Sequence, residues 1–139
     1  MISIHFLPVL VAAIVAFVLG FLFHGPLLGK TWMRLANIHP TGNEKMSDMY
    51  GQMIWNFVVN LVTAFALAMV YVLASTSPLM SSSALWNGLL CGFLVWVGFL
   101  VTSSSIEVIW MGKSYKLWMF EAGCSLIVIL VMGAIIATL

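Results

Sequence analysis

The chain has 139 residues, of which 63% are hydrophobic and only 6% charged. An ordinary soluble domain carries about 25% charged residues, so no water-soluble fold of this size could hide the apolar surface, and the chain belongs in a lipid bilayer. The net charge of +1 says nothing about nucleic acid, no basic run suggests it and none is expected as a partner, and the length suffices for four spans of about 20 residues and one polar loop. Residues 1–139 therefore read as a single integral membrane domain.

The first span is expected over about 6–23. Pro8 falls in its first turn, where proline is tolerated, and Ala12, Ala16 and Gly20 recur every fourth residue as a smooth face. Such faces let helices approach closely, although alanine and glycine are also ordinary in membrane helices. No Lys or Arg precedes this run, and it is longer than the apolar core of a secretory signal, so it is expected to be a span and not a cleaved leader. The Gly25-Pro26 step after His24 should break the helix. A short interfacial helix is expected from Leu27 to Asn37, with Trp32 at headgroup level and Lys30 and Arg34 facing phosphates. The stretch from Asn37 to Tyr50, with Glu44, Lys45 and Asp48, is the one substantial hydrophilic loop.

The second span is expected over 52–74. Gln52, Asn56, Asn60 and Thr63 share one helical face. In lipid such a face turns towards protein, either for hydrogen bonds between helices or as the polar lining of a pathway. The third span, 84–110, carries Gly88 and Gly92 as a GxxxG pair, which suits close packing or self-association. The fourth, 117–139, has Gly133 and Ala137 as another small face. Cys91 and Cys124 fall about 20 Å apart in depth at 1.5 Å per residue, too far for a disulfide.

Lys30, Arg34 and Lys45 lie between spans one and two, and Lys113 and Lys116 between spans three and four; the other loop and both termini hold no Lys or Arg. This bias places both basic segments in the cytoplasm. The expected fold is an all-α integral membrane four-helix bundle of two antiparallel transmembrane hairpins, N-out and C-out.

Two acids attract chemistry. Glu107 lies seven residues before Ser114 and Glu121 seven after it. Across an antiparallel hairpin, equal offsets mean equal depth. Ionisable groups in a membrane are costly and become functional candidates. If the acids share a pocket, mutual repulsion and burial hold a proton between them, and Asn56, Ser103 and His24 in the same inner half could complete a proton or cation site. Alternatively each acid pairs with Lys113 or Lys116. His5, His24 and His39 have no metal-ligand spacing, and Ser103 to Ser105 lack a paired histidine on their helix. No metal, cofactor or catalytic residue is assigned, and an enzyme is the least supported class.

The stretch His24-Gly25-Pro26-Leu27-Leu28-Gly29-Lys30-Thr31-Trp32, together with Gly112-Lys113-Ser114-Tyr115-Lys116-Leu117-Trp118, resembles a bacterial family catalogued as domain of unknown function 1761. The resemblance covers nearly the whole chain. It implies a small four-helix protein of the bacterial inner membrane, and it implies no activity and no catalytic residues. Two functions are expected as alternatives. One is a homo-oligomer with a structural or partner-binding role. The other is a proton- or cation-coupled small-molecule carrier using the Glu107/Glu121 pair, its ligand unknown.

Overall fold

The computed structural model describes residues 4–39 and 49–139. The polar loop with Glu44, Lys45 and Asp48 lies outside the described residues. In chain order the elements are α1 (Phe6–His24), α2 (Gly29–Ala36), α3 (Tyr50–Ala74), α4 (Ala84–Val95), a π-helical turn (Trp96–Val101), α5 (Thr102–Met111) and α6 (Tyr115–Thr138). Among the described residues four helices are long and apolar enough to cross a membrane, the third extending from Ala84 to Met111. Helix is the form that satisfies every backbone polar group within its own segment, as lipid demands.

Local chemistry sets the helix ends. After α1 the chain tightens around Gly25, with the Leu27 amide donating to the Leu22 carbonyl at 3.0 Å and Gly29 to Gly25 at 2.9 Å. Asn37 closes α2 in the left-handed conformation, φ 58°, which asparagine tolerates. Gly112 closes α5 at φ 68°, donating its amide to the Glu107 carbonyl, and the Lys113 amide reaches the same carbonyl at 3.2 Å. Ser83 and Ser114 cap α4 and α6 by accepting from the Trp86 and Leu117 amides. Buried Asn87 ties the uncharged loop before α4 to its first turn: it accepts from the Ser81 amide and donates to the Ser81 carbonyl, both at 2.9 Å.

α6 is the hub and packs against α1, α3 and α4. The core is made largely of small side chains: Ala12, Ala13 and Ala16 from α1, Ala64 and Ala68 from α3, and Cys91 from α4, with Leu67, Ile129 and Met132 as the large buried residues. The closest approach joins α4 to α6. A Cβ built on Gly88 would stand 2.2 Å from the Gly133 carbonyl oxygen and 2.6 Å from the Ala137 Cβ, and one on Gly92 would stand 2.9 Å from the Ile129 oxygen. The GxxxG face of Gly88 and Gly92 is thus used for close packing inside one chain, the first of its two expected uses. On α1, Ala12 and Ala16 are buried, whereas a Cβ on Gly20 would meet nothing within 4 Å.

Within the third span the π-helical turn widens the helix without ending it. Thr102 donates to the Gly98 carbonyl at 2.7 Å and Ser103 to that of Phe99. Hydroxyls bonding back to the preceding turn supply donors to carbonyls that the wider turn displaces. The hydroxyls of Ser103, Ser104 and Ser105 all donate back to carbonyls of their own span.

Candidate functional site

The polar face of α3 looks into open space. A cavity of about 620 Å³ lies between α1, α2, α3 and α6, and Gln52, Asn56, Asn60 and Thr63 all line it, together with His24, Trp32 and Glu121. The rest of the wall is apolar or aromatic, including Phe17, Phe21, Val128 and Met132, with Cys124 and Ser125 one turn beyond Glu121. A smaller cavity of about 290 Å³, lined by Ile4, Pro8, Tyr71 and Leu139, marks the opposite end of the bundle. His24, the start of α3 and the start of α6 therefore share one end, and the two ends of the chain share the other.

Asn56, Asn60 and Thr63 on α3 bond within that helix. Asn60 donates to the Asn56 carbonyl at 2.9 Å and to its side-chain oxygen at 3.2 Å, and Thr63 donates to the Val59 carbonyl at 2.9 Å. Among the described residues none of them bridges to another helix, so the face presents amide groups to the cavity. His24 Nδ1 lies 3.0 Å from the Gly20 carbonyl, a contact that fixes the Nδ1–H tautomer of the neutral ring. The Trp32 ring meets the His24 ring edge-on at 5.0 Å. Trp32, expected at headgroup level, is thereby part of the cavity wall.

Lys113 stands between the two acids. Its ammonium donates to Glu107 at 2.8 Å and also to Glu121 on the neighbouring helix. The three side chains are 21% (Lys113), 48% (Glu107) and 35% (Glu121) exposed. Burial pushes the Lys113 pKa down, but its hydrogen bonds to Glu107 and Glu121, joined by the charges of both, outweigh this and hold the ammonium above its usual range. A proton shared directly between Glu107 and Glu121 therefore has no geometric basis. Each carboxylate already accepts from the same ammonium, and Glu107 does not line the cavity.

The residues singled out in the sequence separate into two sets. Glu121, Asn56 and His24 come together at the cavity, while Glu107 and Ser103 lie on the exposed side of α5. Lys30 and Arg34 are exposed on α2, and Lys116 is exposed and makes no ion pair with any described residue. The sequence alone did not single out Gln52, Asn60, Cys124 and Ser125 as one wall. The signal for the amides was their spacing, which did not say which helix they face. Two tryptophans fasten the third span to the fourth: Trp96 Nε1 donates to the Ala122 carbonyl at 3.0 Å and to Ser125 at 3.1 Å, and Trp118 Nε1 to Ser104 at 3.0 Å. Among the described residues no three His, Cys, Asp or Glu side chains gather as metal ligands.

No curated protein and no solved structure matches the chain. Residues 7–137 match the family described as protein of unknown function DUF1761, and this small membrane protein of four apolar helices belongs to that family.

Proposed function

We propose that the protein binds a small, mostly apolar molecule with a hydrogen-bonding group in the cavity beside Glu121, in the cytoplasmic membrane of a bacterium. The observation that carries this is the polar face of α3. In lipid, amide side chains turn towards protein partners; here Gln52, Asn56 and Asn60 line a cavity of about 620 Å³ whose remaining wall is largely apolar. That volume falls within the roughly 300–1,000 Å³ of small-molecule sites, which combine apolar walls with a few placed polar groups. The Lys and Arg distribution supports placing the cavity in the cytoplasmic half, with both termini outside.

A neutral fluorescent probe, N-phenyl-1-naphthylamine, tests this reading. It should bind the protein in lipid nanodiscs saturably, and Gly20→Phe should abolish binding, because the new ring enters the cavity where a Cβ meets no neighbour. Absence of saturable binding to the wild type, or full binding to Gly20→Phe, would overturn it.

A partner-binding role in a homo-oligomer is the second reading. It is favoured by Glu107, which stays 48% exposed on α5, away from the cavity, even with Lys113 bound to it. Polar groups on an outer helix face in lipid seek protein. Native mass spectrometry in mild detergent showing monomers alone would remove this reading.

A further inference from the structure

We propose that the cavity's ligand is a lipophilic monovalent cation, and that Lys113 is a built-in counter-ion which the ligand displaces from Glu121. This rests on reading the cavity as a ligand site and adds the charge class. Three observations support it. First, among the described residues Glu121 is the one carboxylate on the wall, and no Lys or Arg lines the cavity. An anion would face Glu121, whose bound Lys113 lies outside that lining. Second, the wall offers Phe17, Phe21 and Trp32, whose ring faces attract cations, and amide oxygens that accept from an ammonium.

Third, among the described residues the ion cluster is one positive charge short. Glu107 and Glu121 share the single ammonium of Lys113, and Lys116 pairs with neither. With both acids ionised the group carries an excess negative charge next to an apolar wall, where electrostatic interactions are stronger than in water. A ligand cation at Glu121 would leave Lys113 with Glu107, already 2.8 Å away, and convert three charges into two balanced pairs. Lys113 lies outside the cavity lining, on the turn between α5 and α6. Its long stem can therefore shift towards Glu107 without repacking the wall.

The test uses two probes of the same shape and opposite charge, tetraphenylphosphonium and tetraphenylborate. Equilibrium dialysis is run against the protein in nanodiscs of neutral phosphatidylcholine, with empty discs as the blank. The phosphonium should bind at least about tenfold more tightly than the borate, the step expected from attraction to one carboxylate beside an apolar wall against repulsion by it. Glu121→Gln should erase that preference. Glu107→Gln should weaken phosphonium binding several-fold, because Lys113 then belongs to Glu121 alone. Lys113→Gln should strengthen it several-fold, because Glu121 is left unpaired. The opposite signs of the last two separate a displaced counter-ion from general loss of structure, and Glu107→Gln carries the test if Lys113→Gln does not fold. Equal binding of the two probes, or Glu107→Gln and Glu121→Gln both without effect, would overturn the inference. Saturable binding of N-phenyl-1-naphthylamine in that case would leave the ligand site standing. Its absence would remove both.

Discussion

Gly88 and Gly133 meet backbone to backbone: a Cβ on Gly88 would lie 2.2 Å from the Gly133 carbonyl oxygen, and a Cβ on Gly133 would lie 2.3 Å from that of Gly88. No side chain stands between the two helices at this point. Without a hydrophobic drive between helices in lipid, such close van der Waals contact is the main source of association.

Gly88→Ala should therefore destabilise the bundle by about 1–3 kcal/mol, the range for overpacking, because only backbone movement can relieve the clash. Gly98→Ala is the control. A Cβ there meets nothing within 4 Å, and alanine improves a helix interior by roughly 0.5–1 kcal/mol over glycine. Unfolding by sodium dodecyl sulfate in mixed micelles, followed by tryptophan fluorescence, measures both. Equal effects at the two positions would show that the glycine contact does not govern packing of α4 on α6.

The indole of Trp118 donates to Ser104 at 3.0 Å, across the same hairpin that holds the ion cluster. A double-mutant cycle of Trp118→Phe and Ser104→Ala should return a coupling of about 0.6 kcal/mol, with roughly 1.7 as the upper bound seen for hydrogen bonds between membrane helices. A coupling of zero would mean that the bond is exchanged for an equal partner when broken.

Orientation follows from the Lys and Arg asymmetry. A periplasm-active reporter fused after Leu139 should be active, and a cytoplasm-active reporter placed after His39 should be active too. The reverse pattern would turn the cavity beside Glu121 to the outer half of the membrane.

The four spans and the break at Gly25 were legible because apolar length and glycine–proline chemistry act locally. The helix after that break was also legible, though α2 is shorter at Gly29–Ala36 than the expected Leu27–Asn37. The π-helical turn at Trp96–Val101 carried no such signal, since one extra residue in a turn leaves hydropathy unchanged. The polar face of Gln52, Asn56, Asn60 and Thr63 was visible as spacing, but whether it met a helix or a cavity depends on how α1, α3 and α6 separate around Gly20. The acids show the same division. Equal offsets from Ser114 placed Glu107 and Glu121 at one hairpin, and side-chain reach then put Lys113 between them.

That lysine gives a pH prediction whose sign can be worked out. Its folded pKa is raised above the ordinary 10.5, burial lowering it but the hydrogen bonds and charges of Glu107 and Glu121 raising it by more. A cationic group with a raised folded pKa contributes stability that is fully present below the unfolded value and lost as pH rises through the folded one. Lys113→Gln should therefore lower the melting temperature by a few degrees at neutral pH, on the scale of about 1 kcal/mol for a partly exposed pair. The difference from wild type should stay constant from neutral pH to about 10 and close above the ordinary lysine value near 10.5. A proton shared between the acids would instead weaken the wild type between the carboxylate range and neutrality. Thermal melts of wild type and Lys113→Gln in detergent from neutral to strongly alkaline pH decide the matter. A gap that persists unchanged into the most alkaline samples would show that Lys113 stabilises the turn by packing of its stem and not by its charge.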